Sequence, residues 1–197
     1  MNRRTIIIMS AAAVAVLAVG ATAMVVATNP TSPVPAASGP ADPGSSTTTP
    51  STAVPDATWD TGASLLYMME EEKLAHDVYV TLGDQWGANV FANISASETT
   101  HQELLLPLLE ARGLTDPRSP EIGVFVNADL QALYDELVAR GSASRAEAMQ
   151  VGIAIEERDI SDIGAAVAAE DEADVIAVYE RLLAGSENHL VAFQRQV

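Results

Sequence analysis

The sequence contains no cysteine. A disulfide scaffold, thiolate metal sites, iron–sulfur clusters and lipid attachment through a cysteine are therefore excluded. Basic residues are scarce, 10 against 27 acidic ones, for a net charge of −17. Such a surface makes nucleic acid a poor partner. The two-residue alternation of a β-strand is also missing, which points to an all-α fold. A fourth absence is local: Thr5 to Thr28 carries no charge at all.

That uncharged stretch follows Arg3 and Arg4, and a basic start before an apolar run reads as an export signal or a membrane anchor. Its 24 residues exceed the roughly 20 needed to span a bilayer. Ala21-Thr22-Ala23 also offers a small-residue cleavage site, so residues 1–28 are either a cleaved signal or a retained anchor. The arginines favour the cytoplasmic side, which places the rest of the chain outside the cytoplasmic membrane. Residues 29–58 are rich in Pro, Ser and Thr, without an apolar face, and read as a disordered linker. Residues 59–197 form one domain of ordinary size. It holds 25 acidic and 8 basic residues, the whole net charge. Metal cations are attracted to such a surface, although solubility alone explains many acidic surfaces.

The domain reads as helical throughout. A first long helix is expected from Asp60 to Gly83, with Asp60 or Thr61 as cap. A second runs from a cap at Asn93 to Arg112, with Pro107 kinking but not ending it. A connector from Leu114 to Asn127 leads into a short helix, Asp129 to Arg140. Ser144 with Glu147 is a capping-box signature for a third long helix reaching about Ala169. Asp171 is the expected cap of the fourth. Four long helices with one long crossover carrying a short extra helix is the connectivity of a ferritin-like four-helix bundle.

Helical periodicity then places polar residues where a core should be. Glu72 falls mid-stripe on the first helix, with His76 one turn later also facing inward. Glu70 is expected to point away, Glu71 to lie toward the edge, and Lys73 to fall on an outer face. On the second helix Glu98 and His101 form a Glu-x-x-His pair whose side chains converge. Glu156 lies central on the third, with Asp159 on its flank. His189 lies inward on the fourth and shares its face with Ser186, while Glu187 faces solvent. Each has an ordinary reading when taken alone: a phase error, a satisfied core histidine, core filler for Tyr79, packing for Met68 and Met69. Coincidence across four helices is what points to a bound cation, because a buried unpaired carboxylate costs several kcal/mol.

The segments EEEKLAHDVY (Glu70–Tyr79), FANISASETTH (Phe91–His101), VGIAIEERDISDI (Val151–Ile163) and GSENHLVAF (Gly185–Phe193) resemble a ferritin-like family of prokaryotic proteins named domain of unknown function 2202. Glu72-x-x-Ala75-x-x-x-Tyr79 is also similar to the first metal-binding helix of the rubrerythrins. The resemblance implies a ferritin-like bundle with a metal centre held by Glu72, Glu98, His101, Glu156 and His189. It departs from the full di-iron pattern at Ser186, where a carboxylate would stand. His76 or Asp159 is a candidate substitute, and Tyr79 a candidate hydrogen-bond partner of a ligand. One or two ions of iron or manganese suit the oxygen and imidazole donors, with zinc as the alternative. Three functions follow as expectations: an oxidase or peroxide-consuming enzyme, a metal-holding module of the cell envelope, or a structural helical domain. A homodimer is compatible with any of them.

Overall fold

The computed structural model describes residues 59–197. The apolar segment 1–28 and the linker 29–58 lie outside the described residues. Among those described there are five helices and no strand: α1 (Thr61–Trp86), α2 (Asn89–Ala111), α3 (Ala128–Gly141), α4 (Arg145–Ala169) and α5 (Ala173–Gln194). None is long and apolar enough to cross a membrane.

Asp60 caps α1 as expected, its carboxylate accepting from the Ala63 N–H at 3.0 Å. The helix runs past Gly83, however, and stops at Gly87, whose φ of 63° is left-handed. Gly83 lies inside the helix, where its lack of a side chain lets Phe91 of α2 approach closely. The turn that follows is so short that α2 begins at Asn89, four residues before the expected cap Asn93. Ala88 gives that start no side-chain cap, and burial of Ala88 and Phe91 fixes it instead. Pro107 lies inside α2 without ending it. Ser144 caps α4 by accepting from the Glu147 N–H at 3.1 Å. The Glu147 carboxylate pairs with Arg140. Asp171 does not cap α5. Glu170 accepts from the N–H groups of Asp171 and Glu172, and is held in turn by Trp59 and Thr61.

α1 packs on α2 and α4, α5 packs on the same two helices, and α3 lies against α1 and α4. Two apolar clusters fill the interior. One gathers Leu74, Tyr79, Leu82, Phe91, Met149 and Phe193 with residues of α3; the other gathers Leu65, Met69, Leu105, Leu109, Ile163, Tyr179 and Leu182. Each buried side chain of this kind contributes roughly 1.5–3 kcal/mol. Between the two clusters, every one of α1, α2, α4 and α5 places buried polar residues: Glu70 to Lys73, then Glu98 with His101 and Gln102, Glu156 with Asp159, and Ser186 with His189. That polar layer is where burial should cost stability. It is the candidate site.

Candidate metal centre

Glu98 of α2 stands at the middle of the layer, with no exposure to solvent. Its Oε2 lies 2.9 Å from Nδ1 of His101, one turn on, and its Oε1 lies 2.8 Å from Nδ1 of His189 on α5. Neither contact has hydrogen-bond alignment, for both Glu98 oxygens and His189 Nδ1 lack a hydrogen-bond partner. Glu72 of α1 meets His101 Nδ1 at 2.9 Å through Oε2, while its Oε1 is unpartnered. Glu156 of α4 accepts from the Tyr79 hydroxyl at 2.5 Å, and its other oxygen, also unpartnered, lies 3.6 Å from His189 Nδ1. The two imidazoles stack, centroids 5.4 Å apart.

Five side chains from four helices thus form two groups: Glu72, Glu98 and His101, and Glu98, Glu156 and His189. In each, one donor atom per residue lies within 4.8 Å of the others. Glu98 belongs to both. His189 donates or accepts through Nε2 at Ser97 Oγ, 2.9 Å away, which leaves Nδ1 turned to the carboxylates. The His101 ring fits only because Gly185 has no side chain; a Cβ there would collide with Nε2.

Burial and the contacts between carboxylates and imidazoles set the proton affinities of the cluster. Burial raises Glu72 to about 8 and Glu156 to about 7, with the neighbouring imidazoles opposing the shift. Burial acts to raise Glu98 too, but His101 and His189 outweigh it and hold it at about 2. Burial likewise disfavours charge on the rings, yet Glu72 and Glu98 raise His101 to about 10, and Glu156 and Glu98 raise His189 to about 9. The carboxylates thus favour the protonated form of both imidazoles.

Several sequence expectations are corrected. Glu70 does not point to solvent: the connector folds over it, and its carboxylate accepts from the N–H groups of Val126 at 2.6 Å and Asn127 at 2.9 Å. Glu71 is buried against Arg158, 3.0 Å away. Lys73 is buried too, paired with Asp77 and lying 4.5 Å from the centre of the Phe125 ring. His76 does not reach the cluster. Its Nδ1 lies 2.8 Å from Asp77 Oδ1, and it lines a surface pocket of about 350 Å³ with Arg118 and Gln102. A full turn from Glu72 leaves it about 40° off that residue's direction, enough to face the connector. Ser186 is buried but donates to the Leu182 carbonyl at 3.3 Å. Asp159 is buried with both oxygens unpartnered, and lies outside both groups. Burial, then the charges of Glu71, Glu156, Glu72 and Glu98, push its carboxyl well above the usual range. Ser97 and Gln102, which steady His189 and the Glu72 backbone, carried no sequence signal.

The class is an all-helical protein with a carboxylate–histidine cluster enclosed between two apolar cores. Comparison with known proteins places it further. Residues 61–197 match the family described as "Uncharacterized protein domain (DUF2202)", and the chain belongs to that family. It is 43% identical over 134 residues to uncharacterized protein MJ0754 of Methanocaldococcus jannaschii, an alignment covering 68% of this chain and 72% of the relative. It is also similar to the crystal structure of hypothetical protein MJ0754 from Methanococcus jannaschii DSM 2661, with a TM-score of 0.67 at 43% identity, covering 68% of this chain and 78% of that one.

Proposed function

We propose that the protein is an exported or membrane-tethered member of the ferritin-like superfamily that binds one or two transition-metal ions, iron or manganese, in the core of a four-helix bundle. The observation that carries this reading is Glu98: a fully buried carboxylate with an imidazole nitrogen under 3 Å from each oxygen and no aligned hydrogen bond at either. The Glu98 oxygens, crowded by imidazoles without bonding to them, are arranged for something placed among them. The fit is chemical as well, since oxygen and imidazole donors suit iron and manganese. Glu72 and His101 would hold one ion, Glu156 and His189 another, with Glu98 common to both. A redox-active ion held there would supply electron transfer to dioxygen or peroxide.

The chain's own residues prepare the donors. Ser97 fixes the His189 ring so that Nδ1 faces inward, Tyr79 holds Glu156, and Gly185 makes room for His101. The bundle topology is supported by the two apolar clusters. α2 ends in the cluster of Leu105 and Leu109 while α4 starts in that of Met149, so the connection through α3 would cross the length of the bundle. Export rests on residues 1–28.

Elemental analysis of the full-length protein, reconstituted with Fe²⁺ or Mn²⁺ and desalted, tests the reading. Wild type is expected to retain stoichiometric metal, and His101→Ala and His189→Ala to retain less. Wild type that emerges free of metal would refute it. A metal-holding role without turnover is favoured by Ser186, whose hydroxyl turns to the Leu182 carbonyl where the di-iron pattern has a carboxylate. Metal-loaded protein that consumes peroxide no faster than free ion would select that role.

A further inference from the structure

The surface pocket beside His76 has no part in the site above. It holds about 350 Å³ between α1, α2 and the connector, and its wall includes Lys73, His76, Asp77, Gln102, Arg118 and Ser119. Lys73, Asp77 and Gln102 are each at most 6% exposed. The acids of the wall are fully engaged. Asp77 Oδ1 lies 2.8 Å from His76 Nδ1, and Oδ2 accepts from Lys73 and, at 2.9 Å, from the Gly123 N–H. Asp116 accepts from Arg118 through both oxygens. Lys73 is engaged as well, by Asp77, by the Glu121 carbonyl at 3.0 Å and by the face of Phe125.

The groups left over are mostly donors. Arg118 gives a hydrogen from Nη1 to Gln102 Oε1 at 2.9 Å and another from Nη2 to Asp116, and each nitrogen carries a second. Gln102 Nε2 reaches the Glu72 carbonyl at 3.4 Å with one hydrogen and keeps the other. Ser119 Oγ accepts from the Glu121 N–H at 3.1 Å, which leaves its own proton to donate. His76 differs. Burial works against charge on Asp77, but His76, Lys73 and the Gly123 N–H hold its carboxyl below the usual range. An ionised Asp77 keeps the His76 proton on Nδ1 and leaves Nε2 as an acceptor.

We propose that this pocket binds a small organic anion, a carboxylate or a phosphate ester, with a hydroxyl beside the charged group. The anionic oxygens take the spare hydrogens of Arg118, Gln102 and Ser119, and the hydroxyl donates to His76 Nε2. A cation would find no carboxylate oxygen here without a donor already on it. Lys73 and Arg118 offset Asp77 and Asp116, so an anion meets no net repulsion from the wall despite the acidic domain. The pocket is independent of the metal reading.

Calorimetric titration of the full-length protein tests this with two pairs of anions, malate against succinate and glycerol 3-phosphate against propyl phosphate. One hydroxylated anion is expected to bind, malate if the ligand is a carboxylate and glycerol 3-phosphate if it is a phosphate ester. Arg118→Leu is expected to weaken it by about tenfold or more, the worth of a hydrogen bond between charged partners. His76→Ala should weaken the hydroxylated member of the pair and leave its partner unchanged, which a merely structural role would not do. If Arg118→Leu does not fold, Ser119→Ala and His76→Ala decide. Binding of none of the four anions, or binding of wild-type strength in every variant that folds, would overturn the proposal and leave the core site untouched. Equal weakening of both members of a pair by His76→Ala would overturn the role given to the hydroxyl.

Discussion

The half of the polar layer built by α1 and α2 brings three ionisable side chains together by itself, Glu72, Glu98 and His101, whereas the half built by α4 and α5 brings only Glu156 and His189. The second half borrows Glu98 from the first. It borrows its supports as well: Tyr79 of α1 holds Glu156, and Ser97 of α2 holds His189. Ser186, one turn before His189, contributes a hydroxyl to its own helix instead of a carboxylate to the cluster. The contrast teaches that the two halves are unequal and that the second depends on the first. Damage to Glu98 should therefore reach both halves.

The largest test of that dependence is Glu98→Ala. On the proposed metal reading, losing the shared carboxylate is expected to abolish metal retention, measured by elemental analysis after reconstitution. Retention of half the wild-type metal would mean that the halves are independent. Gly185→Ala comes next. Its methyl group would strike His101, and overpacking of this sort costs about 1–3 kcal/mol, readable by thermal unfolding of metal-free protein. Metal loss is expected first from the half that contains His101.

The protons held by the buried cluster give a third test. Each of four groups binds its proton more tightly folded than unfolded. Their stabilisation is full below the unfolded values, 4.5 for glutamate and 6.5 for histidine. It disappears as pH rises through about 7 for Glu156, 8 for Glu72, 9 for His189 and 10 for His101. Metal-free protein should therefore melt at progressively lower temperature between pH 5 and pH 10, and bound metal should flatten the curve. Glu98 works the other way, its contribution vanishing only as pH falls through about 2. In Glu72→Gln the part of the decline near pH 8 should disappear. A melting temperature that rises over this range would contradict the assignment. The smallest effect is expected from Tyr79→Phe. Loss of its hydrogen bond to Glu156 costs about 1 kcal/mol and should weaken metal binding in the second half alone.

Much of this arrangement was legible in the chain. Glu72, Glu98, His101, Glu156 and His189 all interrupt apolar stripes, and the structure brings all five together. Periodicity suffices for such residues because their direction is set by their own helix. It fails where a neighbouring segment does the burying. Glu70 and Lys73 point away from the cluster, as their phase requires, yet the connector covers them: Val126 and Asn127 bind Glu70, and Glu121 accepts from Lys73. Glu71 is enclosed by α4 in the same way. Helix ends failed for a related reason. Asn93 and Asp171 have good capping chemistry, but Phe91 packing and the Glu170 carboxylate set those boundaries elsewhere.

The sequence by itself determined the all-helical character, the family and the five inward donors, because each is a matter of residue type and spacing along one helix. Tertiary structure alone decided that Glu98 is shared, that Asp159 and Glu71 are buried with unbonded oxygens, and that His76 is left outside. Those outcomes depend on how far apart helices pack and what the connector covers, and no periodicity within a single helix encodes a distance to another.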